Sequence, residues 1–126
     1  MQITLDTNTL IRFFTNDLPK QAREVKTLFE TGKDLLIPDV VFPEVEYILG
    51  KQYGLSRMEL IEKFEFLLSQ DSITVSHTVK KAISFYISSK LDMADCIIAA
   101  HSLKGKLASF DKELLVLDGV TSVWKK

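Results

Sequence analysis

The stretch "QITLDTNTLIRFF", residues 2–14, decides how this chain is read. An apolar, strand-like run stops on Asp6, passes through small polar residues, and restarts as "LIRFF". A strand that ends on an acid and hands over to a helix is the opening of a βα unit. In parallel α/β sheets, ligands sit beyond the carboxyl ends of the strands. Asp6 therefore has a capping duty or a chemical one. Asp is a favoured helix cap. Thr7 and Asn8 are rival caps, so an acid is redundant for that purpose alone.

Outward from that junction, strands and helical stretches alternate. "LLIP", "SITVS", "KLASF" and "VTSVW" join "QITL" as short strand signals. "KQAREVKTLFETG" places Ala22, Val25, Leu28 and Phe29 at helical spacing and stops at Gly32. "VVFPEVEYILGKQYG" reads as a helix ending near Gly50 or Gly54. "SRMELIEKFEFLLSQ" opens with a capping box, Ser56 with Glu59. "TVKKAISFYISSK" and "ADCIIAAHSLKG" are two further helices, and "KELL" is a helical turn. Such alternation predicts an α/β fold with a parallel sheet covered on both faces.

The 126 residues are one domain's worth of chain, read here as a single domain over residues 1–126. The formal net charge is −1, which excludes a globally basic nucleic-acid binder and leaves any cationic surface local. Cys96 is the single cysteine, so neither an intrachain disulfide nor a thiolate zinc cluster can form; it reads as core packing. No signal-peptide pattern opens the chain, and no apolar run approaches the roughly 18 residues of a membrane span. The expectation is a soluble cytoplasmic protein with no membrane partner.

Four acids carry the chemistry. Asp6 and Asp111 each fall at or just past the end of a strand signal. On a helix over residues 40–52, Val40, Val41, Val45, Ile48 and Leu49 fill one half-circle at about 100° per residue. Glu44 then falls inside the apolar stripe and Glu46 opposite it. A lone carboxylate facing a core needs a partner. In "LDMADCIIAA", Asp92 reads as the N-cap, and Asp95 lies in the first turn of a helix apolar enough to be largely buried. Two carboxylates about 4 Å apart repel by on the order of 4 kcal/mol at an intermediate dielectric. Four that converge need a compensating cation or must keep protons bound. With hard oxygens as the ligands and neither Cys nor His among them, that cation is Mg²⁺ or Mn²⁺ rather than zinc. His77 and His101 are expected not to be catalytic.

"LDTNTLIRFF", "PEV", "DMADCIIAA" and "ASFDKEL" together resemble the four acidic motifs of PIN-domain ribonucleases. Within that family the compact length resembles the VapC-type toxins of toxin–antitoxin pairs. The resemblance implies a five-stranded, mainly parallel sheet sandwiched by helices (α/β/α). It assigns metal binding and catalysis to Asp6, Glu44, Asp95 and Asp111, with Thr7, Asn8, Asp92 and Ser109 in support. It implies Mg²⁺- or Mn²⁺-dependent hydrolysis of single-stranded or looped RNA, a homodimer, and a cognate antitoxin seated in an apolar groove for which Phe13, Phe14, Leu28 and Phe29 are candidates. Arg12 and Lys112 are candidate RNA contacts, with Lys80/Lys81 and Lys104/Lys106 as further ones.

Three other readings compete. "DTNTL" loosely resembles the nucleophile loop of aspartate-based phosphatases and phosphotransferases, but Asn8 stands where that loop has its second acid. A receiver domain would need an acceptor aspartate mid-chain, where "GKQYGLSR" has no acid. A non-catalytic RNA- or protein-binding module of the same fold is the remaining alternative; four intact acids speak against it.

Overall fold

The structure, a computed structural model, describes residues 1–124. It falls into two compact units, Met1–Ser76 and the residues from His77 onward.

The first unit runs β1 (Ile3–Thr4), α1 (Thr7–Thr15), α2 (Pro19–Thr31), β2 (Leu35–Leu36), α3 (Val41–Lys51), α4 (Arg57–Ser69) and β3 (Ile73–Thr74). The strands form a parallel sheet in the order β1-β2-β3, with Ile3 opposite Leu35 and Leu35 opposite Ile73. Its rungs continue past the short strands: Leu5 N donates to Leu36 O and Ile37 N to Thr74 O. Leu5, Leu35 and Ile37 are buried, as are Leu10, Phe42, Leu49, Phe64 and Leu67 of the helices. The rings of Phe42 and Phe64 lie 5.8 Å apart.

Local chemistry sets the helix ends. Asn16 closes α1 in the left-handed conformation, at φ 54°, a region Asn tolerates. Pro19 opens α2, where a missing N–H costs nothing. The helix α3 ends at Lys51, so Gly50 lies inside it, and the turn into α4 uses Gly54 at φ +70°. The Ser56–Glu59 capping box forms in both directions: Glu59 N donates to Ser56 Oγ at 3.2 Å and Ser56 N to Glu59 Oε1 at 3.0 Å. Ser56→Ala should therefore cost about 1 kcal/mol, read as a lower urea midpoint with an unchanged denaturant slope.

The second unit holds α5 (His77–Ser88), α6 (Met93–Ser102) and α7 (Lys112–Leu115). The helices α5 and α6 pack on each other. Val79, Ile83, Tyr86, Met93, Cys96 and Ala99 are fully or almost fully buried, so Cys96 is a packing residue. No helix among the described residues is long and apolar enough to cross a membrane.

The sequence resemblance implies five strands. Among the described residues the sheet has three. "KLASF" and "VTSVW" meet in one parallel bridge, Leu107 with Ser122. Asp111 N donates to Ser109 Oγ, and Trp124 N to Ser122 Oγ.

Candidate active site

In the first unit, β1 delivers Asp6 directly to the start of α1, which begins at Thr7. Asp6 is the N-cap: its Oδ1 accepts from the backbone N–H of Thr9 at 2.9 Å and from the Thr9 hydroxyl at 2.8 Å. Contrary to expectation, the acid is not redundant as a cap. Thr7 and Asn8 lie inside the first helical turn, so neither can take that place. The two Thr9 bonds hold the Asp6 carboxyl below its ordinary pKa. Both bonds fall on one oxygen, Oδ1.

Glu44 stands apart from the expectation of an inward-facing acid. It is not buried, and it lies in the first turn of α3. Val40 precedes the helix and is 65% exposed, so it does not belong to the buried stripe. The stripe is instead Val41, Phe42, Val45 and Leu49. Removing Val40 rotates its centre toward Phe42 and leaves Glu44 outside. Glu44 nevertheless has a partner, because the Thr7 hydroxyl donates to its Oε1 in a short hydrogen bond. One side chain thus ties the helix that Asp6 caps to the helix that carries Glu44.

A cleft of about 280 Å³ opens beside Asp6, lined by Asn8, Thr9, Arg12, Gln21 and Glu24. Arg12 is held there: Nη1 pairs with Asp17 at 3.3 Å, and Nε donates to Gln21 Oε1 at 3.2 Å. Asp17 also accepts from the Tyr53 hydroxyl at 2.7 Å and from Thr15. The Tyr53 bond, then that from Thr15, with Arg12 adding its charge, keep the Asp17 carboxyl below its ordinary pKa.

In the second unit, Asp92 caps α6, as its sequence position predicts, by accepting from Asp95 N at 2.8 Å. Asp95 is half-buried. Desolvation first, then the charges of Asp92 and Asp111, raise its carboxyl above the ordinary value. Asp111 caps α7 by accepting from Glu113 N at 2.9 Å, and the Ser109 hydroxyl accepts from Asp111 N at 3.0 Å. Lys112 follows, exposed, as the first residue of α7.

The acid and supporting positions therefore assemble in two sets. Asp6, Thr7, Asn8 and Glu44 belong to the first unit, and Asp92, Asp95, Ser109 and Asp111 to the second. Among the described residues, no three Asp, Glu, His or Cys side chains stand close enough together to grip a metal ion. The donor chemistry still suits a hard divalent cation. Every candidate ligand is a carboxylate, and the mutual repulsion at Asp95 is of the kind that a cation relieves.

Phe13, Phe14 and Phe29, candidates for an apolar groove, form an aromatic cluster with Phe66. Phe29 is buried; Phe13, Phe14 and Leu28 are half-buried. Two features lie beyond what the sequence pattern indicates. One is the stack of Phe110 on Trp124, rings 4.7 Å apart and 10° from parallel, immediately before Asp111. Its components are far apart in sequence and carry no joint signal. The other is a cavity bordered by both histidines, His77 and His101. That one has a signal: His77 and Lys81 are four apart on one helix, and Lys104 follows His101 by three, just past the end of another.

The family model for the PIN domain matches residues 3–120 of the chain. No curated protein matches. Among solved structures, a toxin–antitoxin complex from Klebsiella pneumoniae is similar at 19% identity, covering 98% of this chain and 99% of that one, with a TM-score of 0.36.

Proposed function

Because the chain belongs to the PIN-domain family, whose members are generally nucleases, we propose that it is a divalent-metal-dependent endoribonuclease, the toxin of a toxin–antitoxin pair. Its substrate is single-stranded or looped RNA, since helical RNA hides its base edges. The observation that carries the reading is the crowding at Asp95, where the charges of Asp92 and Asp111 press on a half-buried carboxyl at the start of α6. A domain stable by only about 5–15 kcal/mol keeps such a group for a purpose.

Asp6, Glu44, Asp95 and Asp111 would hold Mg²⁺ or Mn²⁺. When bound, that ion supplies Lewis-acid activation of water and neutralises charge on the phosphate. The chain's own residues prepare the ligands. Thr9 fixes one Asp6 oxygen. Thr7 orients Glu44, and Ser109 holds the backbone that carries Asp111. In the hydrolysis a water oxygen bonds to phosphorus and the bond to the leaving ribose oxygen breaks. No side chain forms a covalent bond to the strand. Asn8 and Arg12 on the cleft, with Lys112 on α7, approach the strand. Arg12 acts from its pairing with Asp17, which fixes its reach. A homodimer in the cytoplasm and an antitoxin segment laid over the half-buried Phe13, Phe14 and Leu28 complete the reading.

The test is direct. Purified chain with a single-stranded RNA should generate discrete cleaved ends in Mg²⁺ and none in a chelator. Asp6→Asn should be inactive yet folded, because Asn caps a helix about as well as Asp. Cutting that persists in excess chelator would overturn the metal-dependent reading.

A further inference from the structure

The cavity of the second unit, about 420 Å³, is bordered by His77, Thr78 and Lys81 of α5, by Ala100 and His101 at the end of α6, and by Leu103 and Lys104 just past it. We propose that it is a phosphate-binding subsite that seats a backbone phosphate of the RNA strand away from the scissile bond. This rests on the nuclease reading above, and it assigns residues that reading does not use.

Charge is the first argument. The chain has 17 acids against 16 Lys and Arg, yet no Asp or Glu is among the described residues that line this cavity. Two lysines and two histidines border it instead. The positive end of α5 and the negative end of α6 both border the space, so the helix dipoles largely offset one another. The net field is therefore that of the side chains. Placement is the second argument. Lys81 is half-buried and its ammonium sits 5.0 Å from the centre of the Phe85 ring, which fixes a group that would otherwise sweep through solvent. Thr78 adds a hydroxyl in the first turn of α5, a turn that carries no acid. Geometry is the third. His101 lies six residues beyond Asp95 on α6, about 9 Å along the axis. One helix thus carries the crowded carboxylates at its start and a cationic cavity at its end. A strand whose scissile phosphate lies at the acids has its neighbouring phosphates repelled there and attracted here.

Phosphate is the shared chemistry of an RNA strand and of free inorganic phosphate, and the experiment separates them. The full-length chain, kept in chelator so that no strand is cut, is titrated with a single-stranded oligoribonucleotide lacking terminal phosphates and, separately, with inorganic phosphate. The ring signals of His77 and His101 are followed by NMR. RNA should move both signals. K81Q/K104Q should weaken RNA binding about tenfold and flatten the plot of log affinity against log salt by about 0.7 for each phosphate no longer neutralised. K33Q/K51Q, exposed lysines outside the cavity and outside every candidate RNA contact, should match the wild type. Response to inorganic phosphate but not to RNA would overturn the strand assignment in favour of a small-anion site. Silence to both, or equal weakening by the two double variants, would overturn the subsite altogether. Cleavage does not enter these readouts. If wild type binds RNA through the cavity yet never cuts it in Mg²⁺, the nuclease reading fails and the subsite stands.

Discussion

Asp95→Asn should lower RNA cleavage by about 10²–10³-fold, the scale of losing one charge-stabilising group, while making the metal-free protein more stable. Both effects have one cause. The Asp95 carboxyl is raised from 3.8 by burial and by the charges of Asp92 and Asp111. It therefore binds its proton more tightly folded than unfolded. Below 3.8 the group is neutral in both states and carries no penalty. As pH rises through the raised value the folded chain must ionise a carboxyl that its surroundings resist, and stability falls. At pH 7 the penalty is fully present. Asn removes the charge and keeps the shape, and the Asp92–Asp95 capping bond is to the backbone, so it survives. A gain of about 0.5–2 kcal/mol is expected, the common scale for relieving a strained functional position, with solvent screening of a half-buried group favouring its lower end. Thermal melts in chelator should show the variant melting higher at pH 7, with the gap closing as the pH falls toward 3.8. Added Mg²⁺ should then raise the wild type more than the variant, since a ligand that binds only the folded state stabilises it by mass action. A variant that melts lower than wild type at pH 7 in chelator would sink the account of Asp95.

Phe42→Ala should cost about 3–5 kcal/mol, the range for emptying a buried aromatic site. The residue is 1% exposed and its ring meets Phe64 where α3 packs on α4. Against a typical total of about 5–15 kcal/mol this threatens the fold itself. Glu44 lies two residues on, its carboxylate tied to Thr7, so cleavage should fall with the folded fraction. Urea denaturation measures the loss. A cost under about 1 kcal/mol, well short of the usual range, would mean that α3 is not anchored by this ring.

What the sequence discloses, it discloses where the physics is local. The Ser56–Glu59 box and the Asp92 cap are settled within four residues of chain, and both form as spaced. The parallel α/β arrangement of the first unit follows from alternation alone. Glu44 departs from its expected orientation for a reason that is also local. Val40 looks like the first residue of an apolar stripe, but the helix begins one residue later, and that step turns the carboxylate outward. Of the five expected strands, three pair into the sheet among the described residues, and the last two signals meet in a single bridge. The cationic cavity needs two docked helices before its spacing has meaning. The motif marks Thr7, but its pairing with Glu44, 37 positions later, has no sequence signal.

The Phe110–Trp124 pair has a practical consequence. Trp124 is the chain's one indole, half open to solvent, and it lies flat on a ring whose next neighbour in the chain is Asp111. A shift of the loop before Asp111 would part or slide those rings. The protein thus carries its own optical probe, and ultraviolet emission from a single unlabelled chromophore would follow loading of the site in real time.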